Sequence, residues 1–185
     1  MRLFIAIGLP EEIEKKLEEF QNELKPFARD AKWVNPKNIH LTLKFLGEVK
    51  EEKIPDLQEV LDQCGDNSGP ASVTVQGCGF FPNPRRPSVF WAGVKTEPLL
   101  GLQQTIEERT QNLGFEGENR PYSPHLTLAR FKDPHGRLPI ANEAEKRKDY
   151  EFGNFTASNF SLYQSVLKRS GAEYTVLKSF PLQKR

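Results

Sequence analysis

HLTL stands twice in this chain, at residues 40–43 within NIHLTLKFLGEV (38–49) and at residues 125–128 within PHLTLARF (124–131). The chain has three histidines, and two of them carry this identical Leu-Thr-Leu tail, 85 positions apart. On a strand, alternate side chains take opposite faces, so His40 and Thr42 point one way while Leu41 and Leu43 point the other. His125 and Thr127 oppose Leu126 and Leu128 in the same manner. The leucines anchor each strand on a core, and imidazole and hydroxyl emerge together. One copy is explained by ordinary strand composition, since Thr favours strands. A second copy on a matching strand turns the pair into a candidate site.

The surrounding elements repeat as well. RLFIAIG (2–8) reads as a buried strand, and Pro10 starts a helix with Ile13, Leu17, Phe20 and Leu24 on one stripe, ended by Pro26. KWVNP (32–36) leads into the first HLTL strand, and residues 51–64 form a second amphipathic helix. ASVTVQGCGFF (71–81) and PSVFWAGV (87–94) are strands around the loop PNPRR (82–86). A helix over 98–113 carries Leu99, Leu102, Ile106 and Leu113. The second HLTL strand comes next within YSPHLTLARF (122–131), then a short helix at PIANEAEKRKDY (139–150). FTASNFSLYQSVL (155–167) and AEYTVLKSFPL (172–182) close the chain as a hairpin around KRSG. Strand, helix, HLTL strand, helix, strand therefore occurs twice. This order predicts an α+β fold of two similar lobes, each contributing one HLTL strand.

Composition narrows the function. With 26 Lys+Arg against 25 Asp+Glu the net charge is +1, so no global field draws a polyanion and any nucleic-acid contact must be local. Cys64 and Cys78 are too few for a disulfide framework and lack metal spacing, which predicts buried free thiols. The opening MRLFIAIGLP is too short for a signal peptide, and no apolar run reaches membrane-spanning length. The expectation is a cytoplasmic monomer with no membrane contact.

Two imidazoles and two hydroxyls across a groove suit in-line displacement at phosphorus. A base is needed beside the attacking oxygen and an acid beside the leaving one. Histidine, with a pKa near ~6.5, supplies both forms at neutral pH. The hydroxyls of Thr42 and Thr127 can bond non-bridging oxygens, where charge grows in the transition state. The rival is a metal site built from His40, His125 and His135. Against it, His135 lies in the turn-like KDPHGRLP (132–139) and no ligand spacing supports coordination. The expectation is therefore no metal and no cofactor.

These residues carry a resemblance. The paired HxTx motifs, with RLFIAIGLP, IHLTLKFLGEV and FPNPRRPSVFWAGV, make the chain similar to the two-histidine (2H) phosphoesterase superfamily along nearly its whole length. Within it, the chain resembles the bacterial and archaeal RNA 2′,3′-cyclic phosphodiesterases, historically called 2′-5′ RNA ligases. The resemblance implies a single bilobal domain over residues 1–185, with antiparallel sheets, outer helices and the active-site groove between pseudo-symmetric lobes. It implies metal-independent hydrolysis of RNA 2′,3′-cyclic phosphate termini, or of nucleotide 2′,3′-cyclic phosphates, to a 2′-phosphate. By motif position His40 is the proton donor and His125 the proton acceptor, although their identical contexts do not distinguish the roles. Alternatives are 2′-5′ RNA ligation by the reverse reaction, or a non-catalytic RNA-end-binding module.

Phe45 and Arg130 stand five positions after each histidine, and the resemblance supports both as ligand contacts: a ring for a nucleobase, a guanidinium for a phosphate. Strict alternation puts them on the face away from the histidines, so they reach the site only through a bulge or a strong twist. Otherwise Phe45 is core and Arg130 a surface charge. Lys44 is on the histidine face by alternation and reads as solvated. Arg85 and Arg86 read as a solvated turn or RNA-backbone contacts, Tyr122 as strand packing or a stacking ring, and Trp33 and Trp91 as core or groove wall.

Overall fold

The structure is a computed structural model describing residues 1–184. Its elements run β1 (Arg2–Ile7), α1 (Glu11–Leu24), β2 (Lys32–Trp33), β3 (Leu41–Glu48), α2 (Ile54–Asp66), β4 (Ala71–Phe81) and β5 (Val89–Lys95). They continue α3 (Glu97–Asn112), β6 (His125–Arg130), α4 (Leu138–Glu145), β7 (Glu151–Ala157), β8 (Asn159–Lys168) and β9 (Gly171–Pro181). The local causes are those the sequence suggests. Pro10 presets the backbone ahead of α1, acids fill the first turn, and Ile13, Leu17, Phe20 and Leu24 are buried along one stripe. Pro26 falls in a 3-10 turn that ends the helix.

The strands form two antiparallel sheets, β3-β1-β8-β9 and β2-β6-β5-β4-β7. Each contains one HLTL strand. α2 and α3 cover the outer face of the first sheet: Asp62 of α2 pairs with Lys178 of β9, and Glu107 of α3 pairs with Lys44 of β3. α1 and α4 cover the second. Phe20 of α1 packs on Phe90 and Phe152, and the Cys78 thiol of β4 donates to the Ala144 carbonyl of α4. One continuous apolar cluster lies between helices and sheets. This is the α+β architecture expected, with the helices outside and the other sheet faces left open.

The lobes, however, are not the two halves of the chain. α1 follows β1 of the first sheet yet packs on the second, and α3 follows β5 of the second yet packs on the first. β4 joins the second sheet, while β8 and β9 return to the first. Residues 155–167, expected as one strand, are divided at Ser158: β7 completes the second sheet and β8 opens beside β1 in the first. Both pieces have strand composition and one residue separates them, so local pattern carries no sign of the crossing. The last helix is also shorter than expected, giving way to turns after Glu145. β2 is a two-residue addition at the edge of β6.

Candidate active site

β3 and β6 carry the same irregularity at the same place. Opposite β1, Thr42 pairs with Ala6 and Lys44 with Ile5, so Leu43 is an extra residue in the ladder. Opposite β5, Thr127 pairs with Trp91 and Ala129 with Phe90, so Leu128 is extra in turn. Each bulge places two consecutive side chains on the buried face, Leu43 with Lys44 and Leu128 with Ala129. Parity then reverses, and Phe45 and Arg130 emerge on the histidine face. Both are exposed. Phe45 lies 6.2 Å from the Phe4 ring, which stacks on His40 at 4.8 Å.

The bulges are held from beneath by matching glutamines. Gln21 of α1 is fully buried and donates through Nε2 to the carbonyls of Leu128 (3.0 Å) and Val34 (2.8 Å). The Val34 N–H also donates to the Leu128 carbonyl, at 3.0 Å. Gln103 of α3 donates to the Leu43 carbonyl at 3.4 Å, a longer and weaker bond. A ladder bulge strands backbone groups that must be satisfied elsewhere, and these side chains do so.

The two imidazoles are fixed alike. His40 Nδ1 lies 2.7 Å from the Asn38 carbonyl and His125 Nδ1 lies 2.8 Å from the Ser123 carbonyl. A carbonyl only accepts, so Nδ1 carries the proton in both rings and Nε2 is left to the groove. Burial depresses both pKa values below the ordinary 6.5; the carbonyl bonds oppose this, and the positive charge of Arg130 depresses both further. One guanidinium thus acts on histidines from both sheets. Thr42 and Thr127 are half-buried beside them, and their hydroxyls make no protein hydrogen bond among the described residues.

Around this common frame the lobes diverge. His40 stands among rings: Phe4 below it, Tyr174 edge-on at 5.3 Å and Tyr163 at 6.3 Å. His125 has the edge of Phe81 at 5.0 Å and the cation Arg130 on its own strand. Tyr122 joins the two sides, its hydroxyl donating to the Thr42 carbonyl at 2.7 Å. Burial pushes its phenol well above the ordinary range. Tyr122 is therefore a tether between the motifs.

Lys44 departs from the sequence expectation. The bulge turns it inward, where its Nζ meets Glu107 at 2.8 Å and donates to the Glu116 carbonyl at 2.9 Å. Burial alone would raise the Glu107 carboxyl, but bonds from Lys44, the Glu118 N–H and Gln111 bring it below its ordinary value. Trp33 packs edge-on against Phe90 and donates to the Ala28 carbonyl, which makes it core. Trp91 lies across from Thr127 and against Phe81, as groove wall. Arg85 and Arg86 are exposed in a turn whose N–H groups donate to Asn83 Oδ1. His135 is exposed, with Asp133 and Arg86 as its contacts. Among the described residues no three His, Cys, Asp or Glu side chains converge as a metal site. Cys64 is buried and Cys78 half-buried, both as free thiols; burial raises both, Cys78 to about 12. Sequence reasoning missed Phe4, Tyr174, Gln21 and Gln103. For Gln21 a signal exists: it sits between Phe20 and Leu24 on the apolar stripe of α1.

Known proteins resemble this chain in sequence and fold. The chain is 38% identical over 180 residues to the RNA 2′,3′-cyclic phosphodiesterase of Methanocaldococcus jannaschii, covering 97% of this chain and 100% of that one. It is 37% identical over 190 residues to the protein of the same name from Thermus thermophilus, covering 99% and 91%. Among solved structures, TT0787 of Thermus thermophilus superposes with a TM-score of 0.87 at 35% identity over 100% of both chains. E. coli LigT complexed with 3′-AMP superposes with a TM-score of 0.82 at 28% identity over 99% and 98%. The family model described as LigT like Phosphoesterase matches residues 7–91 and 94–174. With both HxTx motifs inside those spans, the chain belongs to the LigT-like phosphoesterase family.

Proposed function

We propose that this chain is an RNA 2′,3′-cyclic phosphodiesterase, a hydrolase that opens a terminal cyclic phosphate to a 2′-phosphate. The observation that carries this reading is the pair of histidines, each tethered through Nδ1 on a matching bulged strand, with Arg130 emerging on the same face. His125 Nε2 takes a proton from water, whose oxygen bonds to phosphorus. The P–O3′ bond breaks opposite it, and His40 Nε2–H protonates the departing O3′. Charge on the non-bridging oxygens meets Arg130 and the hydroxyls of Thr42 and Thr127. The next cycle begins once both histidines have exchanged protons with solvent.

The divergence between the lobes supports the assignment of roles. The leaving O3′ belongs to the nucleoside, so the acid stands on the nucleoside side and the base on the water side. The exposed ring of Phe45 and the half-buried ring of Tyr174, both backed by the buried Phe4, make the His40 side suited to a sugar and base. Acid, base and cation are all supplied by side chains, so the reaction is metal-independent. The whole of residues 1–185 acts as one bilobal domain, consistent with its continuous core. The free thiols Cys64 and Cys78 suit a reducing compartment, and we place the chain in the cytoplasm as a monomer.

Incubation with a nucleoside 2′,3′-cyclic phosphate in EDTA, followed by phosphorus NMR, tests the proposal. Turnover to a 2′-phosphate is expected. A 3′-phosphate product would reverse the placement of the sugar, and tight binding without turnover would make the chain an RNA-end-binding module.

A further inference from the structure

The β8–β9 hairpin extends beyond the sheet that supports it. β8 pairs with β1 from Ser161 to Ser165, whereas Val166, Leu167 and Lys168 pair only with Glu173, Ala172 and Gly171 of β9. The hairpin exposes apolar side chains on and beside this overhang. Leu167 within it is 70% exposed, and Val176, just inside it on β9 opposite Tyr163, is 50% exposed, a cost in water that the fold itself does not need. Register fixes the face they share. Tyr163 opposes Val176, Ser165 opposes Tyr174, and Leu167 opposes Ala172, so one side of the hairpin presents Tyr163, Val176, Tyr174 and Leu167. Tyr163 and Tyr174 pack on Phe4, and Tyr174 meets the His40 ring. The exposed apolar side chains therefore continue outward from the wall of the His40 groove.

The overhang is also tied to the catalytic frame. Asn38, whose carbonyl holds His40 Nδ1, donates through its side-chain amide to the Ala172 carbonyl of the hairpin at 2.9 Å. The net charge is positive: residues 159–181 hold Lys168, Arg169 and Lys178 against the single acid Glu173, with Lys178 held by Asp62 of α2. Glu173 is occupied by Lys168 at 2.6 Å, and Arg169 has no acidic partner among the described residues.

We infer that this face of the hairpin is the subsite for the nucleotides 5′ of the terminal cyclic phosphate, so that it adds to the binding of a strand and not to that of a lone nucleotide. The inference rests on the phosphodiesterase reading, which puts the terminal nucleoside against the His40 lobe. A strand continues from that nucleoside only through its 5′ oxygen, and leaves the groove along this lobe. Bases stack on apolar and aromatic side chains whatever their sequence, and Arg169 meets a backbone phosphate.

The test compares kcat/KM for a cyclic mononucleotide and for a tetraribonucleotide ending in the same 2′,3′-cyclic phosphate. The native chain should prefer the tetramer by about tenfold or more, the scale of one or two stacking contacts. The double variant Leu167→Asp, Val176→Asp should lose most of that preference while turning over the mononucleotide as before. Arg169→Ala should lower the salt slope of tetramer binding by about 0.7. Equal use of both substrates by the native chain overturns the inference. So does a double variant that keeps the preference, as a hairpin serving a protein partner would, or one that loses both substrates equally. Mononucleotide turnover tests the activity separately. Should neither substrate react, the ratio of Kd values for a 3′-phosphorylated tetramer and a nucleoside 3′-monophosphate decides the hairpin by the same criteria.

Discussion

The two HLTL segments are the same device in different settings. Each is a strand with an extra leucine three positions after its histidine, that histidine tethered through Nδ1 to the carbonyl two residues before it, and a glutamine under the bulge. The residue just past the bulge differs. The first segment presents Phe45 within an aromatic wall; the second presents Arg130, on a strand whose histidine meets a single ring edge, that of Phe81. In the proposed mechanism the duplicated geometry supplies two equivalent proton carriers, and the unequal neighbours assign them unequal work. In that proposal the internal repeat accounts for the symmetry of a displacement at phosphorus, and its departures from symmetry account for the direction.

Breaking the shared part should cost most. His40→Ala and His125→Ala should each lower kcat/KM by about 10²–10⁴-fold on a cyclic nucleotide. The double variant should lose less than the product of the two, since acid and base act as a unit. His135→Ala should leave the rate unchanged, because that ring sits with Asp133 and Arg86. Loss of activity in His135→Ala with survival in His40→Ala would end the two-motif reading.

The divergent positions come next. Arg130→Ala should cost about 10²–10³-fold in kcat, as removal of a preorganised charge partner does. Phe45→Ala should instead raise KM by about tenfold, the value of one stacked base. The pH profiles separate them further. With both histidine pKa values held below 6.5, the bell in kcat/KM should be centred on the acid side of that value. Arg130 is one cause of the depression, so its removal raises both values and moves the bell to higher pH. Phe45→Ala leaves the centre in place. A bell unmoved in Arg130→Ala would show that the guanidinium does not act on the imidazoles.

How far the sequence reveals this site depends on the same contrast. A scarce residue repeated with its neighbours marks His40 and His125 without any structure, and the strand pattern around each is plain. The bulges are not visible. Leu43 and Leu128 look like ordinary core positions, and simple alternation sends Phe45 and Arg130 to the wrong face and Lys44 to the groove. The groups that stabilise one bulge come from far away in the chain: Gln21 is 107 residues from Leu128. The exchange of α1 and α3 between sheets is equally silent, because an apolar stripe specifies burial and not the surface that provides it.

Those glutamines give a smaller contrast. Gln21→Leu removes two bonds and leaves the part-buried Val34 carbonyl without its side-chain donor, whereas the Leu128 carbonyl keeps the Val34 N–H. A loss of about 1–3 kcal/mol is expected, read as a fall in the denaturant midpoint at constant slope. Gln103→Leu should cost less, because its bond is long and half-exposed. Equal losses would mean that the two bulges lean on their glutamines to the same degree despite the difference in distance.

The smallest effect belongs to the tether. Tyr122→Phe deletes the hydroxyl that donates to the Thr42 carbonyl and keeps the ring in its packing. A neutral bond of this kind is worth about 0.5–1.5 kcal/mol, so a modest drop in stability should appear in denaturant titration. Activity should fall only a few-fold, through a looser approach of β3 to β6. The bell should keep its shape, since burial holds the phenol protonated across the range in which the histidines titrate. If Tyr122→Phe instead lost activity on the scale of Arg130→Ala and flattened one limb of the bell, the hydroxyl would be meeting the substrate. The site would then hold a third proton carrier, and the symmetry of the two motifs would no longer account for the chemistry.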